Sequence, residues 1–304
     1  MNNAFAQVTK TMWAFLAMLV VIAGLGGYVI GEKANTPATN TAAGADSATQ
    51  DGTTDTAVPN ENIAKLAALA KPGANGTAGP GPEKLPDGSY DAEINGPGGP
   101  LETQEDILNV HRRNPKDPFA VGAVDAPVVI SEFSDFECPF CSRFANETEP
   151  TLMKEFVDKG LVRIEWNDFP VNGSKAEDAA RAGRAAAAQG KFNEFREAFY
   201  TASKDMRGHP NFGMDDYMTF AKEAGVPDLN KFKQDASSDK YTPVIEQARA
   251  YASGIGISGT PGFIVGDQFV GGAQPTDTFI DVINQQLAKT VQNDNGGAAK
   301  KNSK

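Results

Sequence analysis

Glu132-Phe133-Ser134-Asp135-Phe136-Glu137-Cys138-Pro139-Phe140-Cys141 joins a strand to a helix and carries the only two cysteines among 304 residues. Immediately upstream, Pro127-Val128-Val129-Ile130-Ser131-Glu132-Phe133 is apolar and β-branched, the composition of a buried strand. Downstream, Phe144, Leu152, Phe156 and Val157 suit the apolar face of a helix. Pro150 should kink that helix and Gly160 should end it. Two thiols three positions apart at such a junction can close into one disulfide and exchange it with other proteins. They do so readily only where the first thiol is a partly stabilised thiolate. A structural disulfide and a zinc site are competing readings. So short a loop stabilises little. A zinc site needs about four ligands, and beyond the cysteines only His111 and His209 offer imidazoles, at spacings of no familiar finger.

Outward from this stretch, Leu161-Val162-Arg163-Ile164-Glu165-Trp166 reads as a second strand of alternating character. Between Ser174 and Gly254 the periodicity turns helical, with candidate helices at 175–189, 191–203, 214–224, 229–236 and 242–253. Phe192, Phe195, Phe199, Phe220 and Phe232 are assigned to the core of that block. Residues 262–265 and 268–270 form a hairpin around Gly266-Asp267. A terminal helix follows from Pro275 to Thr290, apolar at Phe279, Ile280, Ile283 and Leu287. Before the first strand, Thr103 caps a short helix through Ile107, Leu108 and Val110, with Asp106 three residues on. The pattern predicts an α/β domain over 101–291, a mixed sheet with a helical insertion at about 174–254. A flexible tail is expected at 292–304.

The N-terminal third reads differently. From Thr11 to Ile30 there is no charged residue, and about 20 residues of helix span a bilayer's hydrocarbon core. The run is longer than the apolar region of a cleaved signal peptide, with no clear small-residue cleavage site after it. Residues 1–10 are therefore expected as a short cytoplasmic N-terminus and 11–31 as a retained transmembrane signal anchor, with Lys10 favouring that orientation. Residues 32–100, rich in Ala, Thr, Gly and Pro, read as a disordered linker. Its Ile63–Leu69 stretch could form a helical turn or two, marginal on its own. The net charge of −11 argues against nucleic acid or an anionic lipid surface as partner.

Four matches, in order, carry a family resemblance: the 132–141 stretch, the helical block, Gly259-Thr260-Pro261, and Val270-Gly271-Gly272-Ala273-Gln274-Pro275. Over about 118–289 the chain resembles the thioredoxin fold, specifically the DsbA-like thiol-disulfide oxidoreductases. The resemblance implies that Cys138 is the nucleophile at a helix N-cap, where free N–H groups stabilise a thiolate, and that Cys141 resolves or re-forms the disulfide. It implies a buried proton-relay acid at Glu132, a cis bond at Pro261, and a backbone at Thr260 that pairs with substrate beside Pro139 and Phe140. Phe140 stands where strongly oxidising members often have His, and Asp135 and Glu137 should disfavour a thiolate. Gly262 replaces the larger residue common after that proline. No cofactor or metal is implied.

The implied activity is oxidation of unfolded exported proteins with cysteine pairs, on the extracytoplasmic side of the membrane. Reoxidation would come from a membrane partner of the DsbB or VKOR type. A reductase or isomerase of the same fold, and a non-catalytic client-binding module, are the alternatives. Isomerases usually dimerise through an extra domain, which residues 33–100 lack the periodicity to form, so a monomer is expected.

Overall fold

A computed structural model of the protein describes residues 60–75, 94 and 96–301. The anchor expected at 11–31, the segment 1–10 and most of the linker lie outside the described residues. Among those described, no helix is long and apolar enough to cross a membrane.

In chain order the elements are α1 (Asn60–Ala67), α2 (Gln104–Leu108), β1 (Ala120–Val121), β2 (Val128–Ser134), α3 (Pro139–Arg143), α4 (Glu149–Leu152) and β3 (Val162–Asp168). There follow α5 (Ser174–Ala187), α6 (Phe192–Ser203), α7 (Met214–Glu223), α8 (Leu229–Ala236) and α9 (Thr242–Gly254), then β4 (Gly262–Val265), β5 (Gln268–Gly271) and α10 (Thr276–Lys301). The sheet runs β1-β3-β2-β4-β5. β2 lies parallel to β3, Val128 beside Val162 through Ser134 beside Asp168, and β4 is antiparallel to β2, with Phe133 opposite Gly262. The α/β architecture with a helical insertion before the hairpin is the one expected. β1 was not legible, since two residues are too few to show a period.

On one face of β2, Val128 and Ile130 pack with Phe144, Leu152 and Phe156 and with Phe279, Ile283 and Leu287 of α10. On the other, Phe133 meets Val110, Tyr251, Ile255 and Ile257. In the insertion, Phe192, Phe195, Phe199, Phe220 and Phe232 are all buried, and Phe199 lies 5.1 Å from Phe212 and 5.5 Å from Phe220 between ring centroids. Gly183 of α5 lets this layer reach the loop after β2: a Cβ there would fall 2.9 Å from the Phe136 ring.

Three departures from the sequence reading have physical causes. β3, read as alternating, is buried along its whole length. Its charged residues are paired: Arg163 Nε donates to Glu165 at 2.6 Å, and Glu165 accepts the backbone N–H groups of Arg112 and Arg113 at 2.7 and 2.8 Å. Pro150 sits between two π turns, Phe144–Thr148 and Met153–Val157. These shift the ladder by one residue, with Glu149 N–H bonding Phe144 O and Asp158 N–H bonding Met153 O, so the helix passes the proline's missing donor.

The third departure is the linker. Residues 60–75 belong to the fold: α1 packs on α10, burying Ala67 and Ala70 in the cluster with Leu287 and Val291. Gly73 N–H donates to Gly160 O at 2.8 Å, and Asn75 Nδ2 donates to Asp125 Oδ2 at 2.8 Å. A helix too short to stand alone holds where tertiary burial supports it. At the other end, α10 continues past Thr290 into the expected tail. Beyond Val291, residues 292–294 are exposed. α2 keeps the Thr103 cap with its Asp106 capping box but stops at Leu108.

Candidate active site at the β2–α3 junction

Cys138 is the N-cap of α3, in extended backbone (φ −78°, ψ 120°), and Pro139 follows at the first helical position, where a missing N–H costs nothing. Both cysteines are free thiols, Cys138 5% exposed and Cys141 fully buried. The Cys138 Sγ donates to the Thr260 carbonyl at 3.3 Å. The Thr260–Pro261 bond is cis, and the β2–β4 pairing that starts at Gly262 fixes this loop beside α3.

The two sulfurs are electrostatically unequal. The hydrogen bond from Cys141 draws the Cys138 thiol down to about 6, against the opposing effect of burial. The Thr260 side chain and the N–H groups of Cys141 and Phe140 add to the lowering. Burial pushes Cys141 well up, and the neighbouring Cys138 pushes it further. A nucleophilic thiolate at Cys138 beside a protonated thiol at Cys141 is the combination that thiol-disulfide exchange requires.

The flanking acids are not free in solvent: their carboxylates are held by neighbouring backbone. Asp135 accepts the N–H groups of Glu137, Val171 and Asn172 at 2.9, 2.8 and 3.0 Å. Glu137 is fully buried, and its Oε2 accepts the Asn211 N–H at 2.9 Å. Phe140 is 54% exposed, with the Arg143 guanidinium 5.2 Å from its ring centroid. It offers an apolar surface beside Cys138.

Glu132 does not face solvent. It is 1% exposed on the β2 face that carries Ile130 and Ser134. Neither carboxylate oxygen has a hydrogen-bond partner, and Arg196 Nη1 of α6 lies 3.7 Å from Oε2. Burial raises its pKa to about 7, Arg196 opposing and Glu149 assisting. The Ser134 hydroxyl, also without a hydrogen bond, lies close enough to Glu132, Cys141 and Tyr200 to act on the ionisation of all three. Arg196 also pairs with Glu149 and lies 5.6 Å from the Trp166 ring centroid. A cavity of about 310 Å³ borders Glu149, Arg196 and Tyr200.

Sequence reasoning missed Arg196, Glu149, Ser134 and Tyr200. One signal was available: Arg196 is four residues after Phe192 and three before Phe199, on the apolar stripe of its helix, where a charge needs a buried partner. Neither histidine joins the cysteines as a ligand. His111 is buried between Ser131 Oγ (2.9 Å) and Gly266 O (2.7 Å), and His209 Nδ1 bonds the Glu137 carbonyl. Among the described residues no group of three or more His, Cys, Asp or Glu could hold a metal.

The thioredoxin family model matches residues 114–285, more than half of the chain and the whole of this site. The chain belongs to the thioredoxin family. A second model, the DsbA N-terminal domain, matches residues 35–110. A Bacillus cereus relative, "Probable disulfide bond formation protein D", is 28% identical over 175 residues, 56% of this chain and 79% of the relative. The Na(+)/H(+) antiporter NhaA 1 of Mycolicibacterium gilvum is 32% identical over 156 residues, half of this chain and 24% of the antiporter. The chain thus spans about a quarter of the length of that relative. Among solved structures, oxidised BdbD from Bacillus subtilis superposes with a TM-score of 0.53 at 22% identity, covering 65% of this chain and 98% of BdbD. The α-DsbA1 of Wolbachia pipientis gives 0.51 at 19% identity, covering 58% and 93%. These structures share the fold.

Proposed function

We propose that the protein is a dithiol oxidase that introduces disulfides into exported proteins on the extracytoplasmic side of a membrane, held there by residues 11–31. The observation that carries the direction is the Cys138 thiol drawn down to about 6, because a stabilised thiolate favours the reduced enzyme and so makes its disulfide an oxidant. A client thiolate attacks Sγ of Cys138 in the oxidised enzyme. The intramolecular S–S bond breaks, a mixed disulfide forms, and the electron pair leaves on Cys141. Protonated Glu132 gives Cys141 its proton. A second client thiolate then attacks the client sulfur and expels Cys138 as its stable thiolate. The client gains one disulfide and the enzyme two electrons, which pass to a membrane reoxidant of the DsbB or VKOR type.

The client strand seats against the Thr260 backbone, with Pro139 and Phe140 as its apolar contacts, and the enzyme acts as a monomer. The deciding experiment is the reduction potential of the Cys138–Cys141 couple against glutathione. A value well above that of thioredoxin supports the oxidase, and one near about −270 mV gives the reductase reading instead. Membrane fractionation of the full chain and of a chain lacking residues 1–31 tests the anchor.

A further inference from the structure

We propose that His209, carried by the helical insertion, is a positioning residue that sets the charge felt by the Cys138 thiolate and makes the reactivity of the pair depend on pH. Neither residue between the cysteines, Pro139 or Phe140, carries a donor side chain. The loop between α6 and α7 supplies one from outside the motif. His209 Nδ1 lies 2.8 Å from the carbonyl oxygen of Glu137, in the peptide bond that joins Glu137 to Cys138. A carbonyl only accepts, so Nδ1 carries hydrogen and Nε2 of this exposed ring is left to take up a proton.

The loop is shaped around this contact. Asn211 adopts left-handed backbone (φ 55°), its N–H holds Glu137 Oε2 at 2.9 Å, and its Nδ2 donates to the His209 carbonyl at 2.8 Å. One loop thereby grips both the main chain and the side chain of the residue before the nucleophile. Glu137 Oε1 is buried and without a hydrogen bond, and burial pushes the Glu137 carboxyl up, with His209 and the Asn211 N–H opposing. An imidazolium at this position favours the Glu137 carboxylate and offsets part of the repulsion a thiolate on Cys138 meets.

Charged groups also act on Glu137 and on Tyr217 beside it. Asp135 stands behind Glu137 in the β2–α3 loop. From α7 come Tyr217 and Asp216, and from α5 Asp178 with its ion-paired Arg181. A proton on His209 favours the Cys138 thiolate, so loss of that proton as pH rises removes the help.

This rests on Cys138 as the reactive thiol and not on the direction of exchange. The test is the alkylation rate of Cys138 in the reduced full chain, measured from about pH 5.5 to 8.5 for wild type, His209→Gln and His209→Ala. Glutamine keeps a donor for the Glu137 carbonyl but no charge. The expected result is a rate about three- to tenfold lower than wild type at the acid end for both variants, converging at the alkaline end, the scale of two unit charges several ångströms apart near a surface. Wild-type rates in His209→Gln at the acid end, or a loss equal at every pH, would each overturn the proposal. A wild-type Cys138 that resists alkylation throughout would instead overturn the assignment of the nucleophile.

Discussion

Replacing Cys141 by alanine isolates what holds the Cys138 thiolate in place. The variant has one thiol, so its titration belongs to Cys138 alone. The hydrogen bond from Cys141 is the largest influence drawing Cys138 down to about 6. A hydrogen bond to a charged group contributes about 1.5–3 kcal/mol, and one pKa unit corresponds to about 1.36 kcal/mol. Removing the donor should therefore raise the midpoint by about one to two units, to about 7–8. Near pH 7 the thiolate fraction would fall from about nine-tenths to between about one-half and one-tenth. Thiolate ultraviolet absorbance and the alkylation rate both read this fraction. Cys141→Ser restores a donor and should bring the midpoint back toward 6. A Cys141→Ala midpoint within a few tenths of wild type would refute the reasoning, because the helix N-terminus and Thr260 would then suffice alone.

The remaining predictions concern the buried charges and the core. Glu132 has a raised folded-state pKa of about 7, so the stability it permits is fully present below about pH 4.5 and is lost as pH rises through 7. Glu132→Gln removes that loss; urea unfolding should show the variant more stable than wild type by on the order of 2 kcal/mol at pH 8, with the gain absent at pH 4. Its reaction with client thiols should also slow, as the proton for Cys141 is withdrawn. Arg196→Met leaves Glu132 and Glu149 without their shared cation and should cost about 3–5 kcal/mol at pH 8, less in acid, measured in the same way. Phe199→Ala opens a void among Phe136, Phe212, Tyr217 and Phe220 and should cost about 3–5 kcal/mol by calorimetry.

What was legible in the sequence was whatever has a local signature. The run Val128–Phe133, the Thr103 cap and the hairpin at Gly266-Asp267 each announce themselves within a few residues, and α8 runs over 229–236 as read. The cysteines and the Thr260-Pro261 pair were legible for the same reason. The rest depends on partners distant in sequence. Arg163 and Glu165 look solvated until residues 112–117 fold over them. Asp135 and Glu137 look solvated until loops more than 30 residues away take up their oxygens. Ile63–Leu69 looks too weak to fold because the surface that stabilises it is α10, at the far end of the chain.

That last contact also gives the domain two distinct poles. Leu69, Ala70 and Lys71 lie with Pro127, Thr290, Val291 and Asp294 around one hollow at the start of β2, while Cys138 follows the end of the same strand. At about 3.3 Å per residue, the seven residues of β2 separate these two poles by roughly 20 Å. The incoming chain and the outgoing helix are thus clasped at one pole, and the reactive sulfur occupies the other. A module built this way can be attached through either end and still present its chemistry outward, like a tool gripped by the handle.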